Sequence, residues 1–235
     1  MDPIIERLYD RHGGRILDVA TGHGDFLKLL TESFADYDEA VGIDPAEDRL
    51  EAARKLGLRD ARFVAMSAEQ IDYPDNYFDT VAIRHSLHHL NKPEKVLRES
   101  VRVLKPGGLF ILCEVFQSPG TELPNSQRHL HHFWAAVDRW QGKPHYDTLT
   151  PQQILNLVEA LDLNIDESFG CEDIGDNREQ AEALNDMLAY SRNVLTDLKA
   201  RNGPQDLIAR GEELIEIFER DGYTDERAIY IFARK

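Results

Sequence analysis

Apolar and polar positions follow two different rhythms along this chain. Short apolar runs at 15–19, 39–43, 61–65, 78–83 and 108–115 read as strands. Between them, stretches near 25–34, 46–56 and 93–104 repeat their apolar residues at helical spacing. Strand and helix in alternation predict a parallel sheet covered on both faces, with ligands bound at the carboxyl ends of its strands. Ahead of the first strand, Ile4, Ile5 and Leu8 predict a short amphipathic helix. Leu104-Lys105-Pro106-Gly107-Gly108 reads as a helix stop and a turn before the strand at 108–115, because proline ends a helix and glycine accepts positive φ.

The alternation breaks at Ser118–Thr148, a segment rich in Pro, His and aromatic residues, with a helix expected from about Gln127 to Trp140. In that helix Leu130, Phe133, Trp134 and Val137 form the buried stripe, with His129 beside it and His132 facing away. Thr150-Pro151-Gln152-Gln153 supplies an N-cap, a proline at the first helical position and a capping-box glutamine, opening a helix through Ile154, Leu155, Leu157, Val158 and Leu161. Residues 163–169 read as a sixth strand and Arg227–Ala233 as a seventh. Between them lie two acidic helices, marked by Leu184, Met187, Leu188, Leu195 and Leu198, then by Leu207, Ile208, Leu214, Ile215 and Phe218. Asn202-Gly203-Pro204 makes their turn. The expected organisation is a sheet domain over 1–170 plus 225–235, interrupted at 171–224 by a helical hairpin serving as lid or oligomer interface. Its acidic outer face reads as solvated surface, with a homodimer contact as the rival.

Composition narrows the setting. With 235 residues, 42% hydrophobic and 30% charged, the chain can bury a real core. A formal charge of −16 argues against duplex nucleic acid or an anionic membrane as the main partner, while leaving room for a local basic patch. Cys113 and Cys171 lack metal-ligand spacing; Cys113 sits in an apolar run and reads as a small core residue. No leader peptide and no membrane-length apolar run are seen, so a cytoplasmic protein is expected.

The chemistry concentrates in Ile16-Leu17-Asp18-Val19-Ala20-Thr21-Gly22-His23-Gly24-Asp25-Phe26, a strand ending in an acid, a glycine-bearing turn and a helix start. Val41-Gly42-Ile43-Asp44 is a second strand closing on an acid. Gly22 and Gly24 remove Cβ atoms where backbone approaches a ligand, and Asp44 can accept hydrogen bonds from both ribose hydroxyls. The glycines depart from the dinucleotide pattern G-x-G-x-x-G, because Ala20 holds its first position; a nucleoside without phosphate fits better than a pyrophosphate. The plainer alternative is a tight strand-to-helix turn with no ligand. Met66-Ser67-Ala68-Glu69 follows the third strand, where a backbone N–H and a polar side chain could read an adenine edge.

Ile16–Phe26 resembles motif I of the class I S-adenosylmethionine-dependent methyltransferases, and Val41–Asp44 their acidic second-strand end. Ser67–Asp79, His88-His89-Leu90 and Arg102–Gly108 are similar to stretches of the type 11 small-molecule subfamily, so the resemblance covers about 14–116. It implies an α/β, Rossmann-like seven-stranded sheet in the order 3-2-1-4-5-7-6 with strand seven antiparallel. It also implies S-adenosylmethionine as cofactor, S-adenosylhomocysteine as product and a small-molecule methyl acceptor. Carried over, Asp18, Ala20, Gly22 and Gly24 would line the methionine end of the cofactor, with Arg84 near them. Asp44 and Pro45 would hold the ribose, and Ser67, Ala68 and Glu69 the adenine. Ser67 stands where many relatives have an aspartate, which leaves the adenine contact weakened or given to Glu69.

Methyl transfer from a sulfonium needs alignment and exclusion of water, and a base only when the nucleophile carries a proton. His85, just past the fourth strand, is the candidate base; hydrogen bonding to loop backbone is its alternative. Glu114 ends the fifth strand and either touches substrate or caps the following loop. His88 and His89 read as structural. His129, Phe133, Trp134 and Tyr146 are expected to wall the acceptor pocket, with core packing as the alternative; helical geometry argues against a metal at His129, His131, His132 and His145. Rival functions are a cofactor-modifying relative, a binding protein acting through a partner, and a nicotinamide-dependent oxidoreductase.

Overall fold

The computed structural model describes residues 3–116, 126–172, 177–222 and 227–235. The chain opens with α1 (Pro3–Leu8), which buries Ile4 and Leu8 and leaves Ile5 partly exposed. There follow β1 (Arg15–Val19), α2 (Asp25–Ser33), β2 (Glu39–Asp44), α3 (Glu47–Arg54), β3 (Ala61–Ala65) and β4 (Phe78–Arg84). A 3-10 turn at Leu87–His89 leads to α4 (Pro93–Val103), β5 (Leu104–Val115) and α5 (Ser126–Trp140). Then come α6 (Pro151–Glu159), β6 (Asn164–Glu172), α7 (Asn177–Ala200), α8 (Gln205–Asp221) and β7 (Arg227–Arg234). Residues 118–125 of the aromatic-rich segment lie outside the described residues.

The strands form one seven-stranded sheet in the order β3-β2-β1-β4-β5-β7-β6, as the resemblance implied. β1 runs parallel to both β2 and β4, with Asp18 opposite Gly42 on one side and Ala82 on the other. β7 is antiparallel to β5: Gly107 N–H donates to the Lys235 carbonyl at 2.7 Å, while Phe116 N–H donates to that of Arg227 at 3.1 Å. Central strands carry continuous apolar runs because helices cover both faces; Ile16, Leu17, Val19, Val81, Ile83, Phe110 and Leu112 are fully buried. Each such aliphatic or aromatic side chain contributes about 1.5–3 kcal/mol on burial.

One turn expected from sequence is a bulge instead. Leu104 already pairs with Phe78, and the register resumes at Thr80 opposite Leu109, so Lys105–Gly108 loops out of β5 across from Asp79. Asp79 holds the bulge: one carboxylate oxygen accepts from Lys105 Nζ at 2.6 Å, the other from Arg15 N–H at 3.0 Å. α4 therefore ends at Val103 and β5 begins four residues before the expected 108.

The chain divides into two compact units. The first comprises Met1–Glu114, Gln152–Cys171 and Ile229–Lys235; the second comprises Val115–Pro151 and Glu172–Ala228. Residues 115–151, expected with the sheet, thus cluster with the helical pair. Within that unit Leu130, Phe133 and Val137 of α5 are buried with Leu195 and Leu198 of α7 and Leu207, Leu214 and Phe218 of α8. Gly211 permits the close approach, since a Cβ there would lie 2.9 Å from Phe133 Cζ. Ion pairs Arg192–Glu219 at 2.6 Å and Lys199–Glu212 at 2.7 Å bridge α7 and α8 at the surface. Among the described residues, no helix is long and apolar enough to cross a membrane.

Candidate functional site

Parallel pairing of β3, β2, β1, β4 and β5 brings the carboxyl ends of all five strands to one edge of the sheet. The chain leaves β1 through Ala20, whose φ of 58° is left-handed, then Gly22 at 53° and Gly24 at 86° before α2. An L-residue in that region costs roughly 1 kcal/mol, so a glycine at position 20 would be the less strained choice. Two bonds fold the turn back on itself and onto β2: Gly24 N–H to the Thr21 carbonyl and Thr21 N–H to the Ile43 carbonyl, both 2.9 Å. Gly42 makes room for it, since a Cβ there would sit 2.7 Å from Thr21 Oγ1 and 2.8 Å from Phe63.

The turn also reaches the second acid. Gly22 N–H donates to Asp44 Oδ2 at 3.1 Å, and Ala46 N–H donates to Oδ1 at 2.9 Å. Asp44 is 5% exposed, so its orientation is set before any ligand arrives. Each oxygen retains acceptor capacity beyond its one backbone bond. A Cβ on Gly22 would meet nothing within 4 Å, so this stretch of backbone borders open space. Pro45 follows, exposed.

Asp18 is 1% exposed and accepts a hydrogen bond from the Thr21 hydroxyl. Burial pushes its carboxyl up to about 7, with nearby Asp44 adding to the rise; the Thr21 hydroxyl, the Arg84 guanidinium and the Leu27 backbone N–H pull the other way. Arg84 itself stands 5.4 Å from the centre of the Phe26 ring. Past β3, Ala68 is buried and Ser67 exposed, the Ser67 hydroxyl accepting from Glu69 N–H at 3.2 Å. The Glu69 carboxylate is drawn toward α4, 3.6 Å from Lys92 Nζ and 3.5 Å from Lys95 Nζ.

His85 follows β4 with a left-handed φ of 47° and half-buried side chain; its N–H donates to the Cys113 carbonyl at 2.8 Å, and its Nε2 lies 3.6 Å from Cys113 Sγ. Glu114, one position along β5, is 1% exposed. One of its oxygens accepts from the N–H groups of Ser86 (3.0 Å) and Leu87 (2.8 Å), and the other lies 2.8 Å from His88 Nδ1. The carboxylate thereby caps the turn that carries His85, and buried His88 is its partner. Glu114, expected to touch substrate or cap the loop after its own strand, caps instead the turn after β4, and His88 is structural as expected; Thr21 and Gly42 were missed as site-building residues. A glycine inside a strand, marking close backbone approach, was the available signal for Gly42.

The four residues expected to wall an acceptor pocket belong to the second unit. Phe133 is 1% exposed in the helical core, and Tyr146 is 45% exposed. Trp134 is partly buried, its ring 5.1 Å from that of Tyr190, and its Nε1 has no partner among the described residues. His129 is half-buried, and burial lowers its pKa. His132, expected to face away from the stripe, is also half-buried, with Nε2 unpartnered among the described residues. His145 is buried against Asp138, Nδ1 to Oδ2 2.8 Å.

Residues 17–112 match the methyltransferase domain family of type 11. The ubiquinone/menaquinone biosynthesis C-methyltransferase UbiE of Stutzerimonas stutzeri is 36% identical over 118 residues, 48% of this chain and 46% of that protein. Its counterpart in Azotobacter vinelandii is 37% identical over 121 residues, 48% and 46% of the two chains. The chain thus spans about half the length of the curated relatives it matches. In fold it is similar to the [4+2]-cyclase SpnF, with a TM-score of 0.67 and 23% identity, covering 100% of this chain and 78% of that one. It is likewise similar to the phosphoethanolamine N-methyltransferase 2 of Haemonchus contortus in complex with S-adenosyl-L-methionine, with a TM-score of 0.60, 18% identity, and 99% and 51% of the two chains covered.

Proposed function

We propose, from the premise that residues 17–112 are a methyltransferase domain of the type 11 S-adenosylmethionine-dependent class, that this chain methylates a small molecule. The observation that carries the reading is the bond from Gly22 N–H to Asp44, which joins the glycine turn and the acid into one binding edge. The residues present suit an adenosyl sulfonium. Asp44 offers free acceptor sites on both oxygens for ribose hydroxyls, and Gly22 leaves its surroundings open to close approach. Asp18, with a carboxyl that titrates near neutrality when no cation is present, is ready to ionise against the ammonium of the methionine portion. Gly24 and Ala20 shape the same turn, Pro45 flanks Asp44, and Ser67, Ala68 and Glu69 border the adenine.

The cofactor supplies an activated methyl group, so the chain's work is alignment and, for a protic acceptor, removal of one proton. His85 is the proposed base. Its left-handed backbone at the end of β4 is held by the Cys113 carbonyl and by the Glu114-capped turn after it, which makes Glu114 a positioning residue. Arg84 balances the charge of Asp18. His129, Trp134 and Tyr146 are proposed to act in choosing the acceptor. A cytoplasmic location and a small-molecule acceptor complete the reading, which the family match favours over binding-only and nicotinamide-dependent alternatives.

A neighbour in fold that is a cyclase makes turnover the decisive measurement. Incubating the protein with S-adenosylmethionine labelled on its methyl group and a small-molecule extract should move label into an acceptor as S-adenosylhomocysteine accumulates. Binding of S-adenosylhomocysteine with no label transferred to any acceptor would overturn methyl transfer while leaving the cofactor site intact.

A further inference from the structure

The sheet edge opposite the cofactor crevice holds a second concavity. A cavity of about 540 Å³ opens where β4 and β5 begin and β7 ends, within the first unit. The length of β1 sets it about 15 Å from the strand ends that carry Asp18 and Asp44. Phe34 and Leu109 give it apolar wall, and Arg11, Lys105 and Arg234 contribute three cations against the single carboxylate of Asp79. In a chain whose formal charge is −16, such a local excess is unusual. Lys105 and Asp79 neutralise each other at 2.6 Å. Arg234 is paired with Asp166 at 3.1 Å and also donates to the Gly107 carbonyl at 3.2 Å. Arg11 differs: it is exposed, its backbone bonds to Leu8 and Ala35, and its guanidinium makes no ion pair or hydrogen bond among the described residues. Beside it His12 accepts the Gly14 N–H on Nδ1 at 3.1 Å, and its Nε2 lies 3.8 Å from Asp38 Oδ1, so that ring is already answered by an acid.

We propose that this cavity is a second ligand site, separate from the cofactor crevice, and that it takes a phosphate monoester with a small apolar body. The volume is that of a small-molecule pocket. Arginine's planar fork matches two phosphate oxygens at once, and Arg11 is the one lining cation whose charge nothing answers. Phe34 and Leu109 favour an ester carrying a ring or short chain over the free anion. The site stands whether or not the chain proves to be a methyltransferase, because it shares no residue with the crevice.

Phenyl phosphate is the probe, since it lacks an adenosyl group and has no call on the crevice. Calorimetric titration of the full chain should give saturable binding, tighter than that of inorganic phosphate or phenol, and undiminished when S-adenosylhomocysteine is present at saturation. Arg11→Glu should weaken phenyl phosphate about tenfold or more while leaving S-adenosylhomocysteine affinity unchanged, and Arg11→Lys, which keeps the charge but loses the fork, should weaken it by less than Arg11→Glu. No saturable binding, equal affinity in Arg11→Glu, displacement by S-adenosylhomocysteine, or binding no tighter than inorganic phosphate would each overturn the proposal.

Discussion

In the turn between β1 and α2 backbone geometry decides the structure, whereas in the unit of α5, α7 and α8 side-chain volume does. The turn needs left-handed conformations at Ala20, Gly22 and Gly24, a missing side chain at Gly42, and a carboxylate at Asp44 within reach of Gly22 N–H. Few residue types satisfy such demands, so they leave a recognisable spacing in the sequence. The helical unit needs apolar residues of suitable size at positions such as Leu130, Leu195 and Phe218. Many sequences meet that need, and the pattern that remains says where the core lies but nothing of what the surface binds. A binding site made of backbone can be read from a single sequence; one made of interchangeable side chains cannot.

Phe133→Ala should have the largest effect. Removing a fully buried ring beside Gly211 should cost about 3–5 kcal/mol of stability by denaturant titration. Calorimetric affinity for S-adenosylhomocysteine should stay constant wherever the variant is folded; a parallel fall in affinity would break the division between the two regions. Asp44→Ala should do the reverse. Losing a charged acceptor for two hydroxyls should weaken S-adenosylhomocysteine by about 2–3 kcal/mol, near a hundredfold, while the lost bonds from Gly22 and Ala46 lower Tm without ligand by less than Phe133→Ala does. Unchanged affinity would remove Asp44 from the site.

The same contrast explains what the sequence disclosed. The strands β1 to β4 are bounded closely by their apolar runs, and the order of all seven followed from the resemblance. The bulge at Lys105–Gly108 was not visible, because Asp79, which holds it, lies 26 residues away and acts only once β4 and β5 are side by side. The cap that Glu114 places on Ser86 and Leu87 is hidden for the same reason. The half-burial of His132 escaped a helical wheel drawn for one buried stripe, since α5 packs beside both α7 and α8. Local geometry was legible; what depended on distant partners was not.

Two glycines, one in each region, sharpen the comparison at intermediate cost. In Gly42→Ala the new methyl would press on Thr21 and Phe63, costing about 1–3 kcal/mol and displacing the turn proposed to bind the cofactor. Both Tm and S-adenosylhomocysteine affinity should fall. In Gly211→Ala a similar clash with Phe133 is partly offset by a helix-propensity gain of about 1 kcal/mol. Only Tm should move there, and by less. Equal loss of affinity in the two variants would show that the regions are not separable.

A pH dependence confined to the crevice needs no change of fold at all. Burial raises the Asp18 carboxyl from an ordinary 3.8 to about 7 in the folded chain without ligand. The folded state therefore holds a proton that the unfolded state has released between those values, and this group's contribution to stability declines as pH rises from about 4 to about 7. A ligand ammonium needs the ionised form, so its binding releases that proton and must strengthen as pH rises toward 7, then level off. S-adenosylhomocysteine affinity should drop by up to about tenfold per pH unit below 7 in the wild type. Asp18→Asn should bind more weakly at pH 8 and lose most of that slope. A wild-type affinity flat between pH 5.5 and 8 would mean that Asp18 orders the turn through Thr21 without touching the ligand's charge, and the crevice would then owe its specificity to Asp44 and the backbone alone.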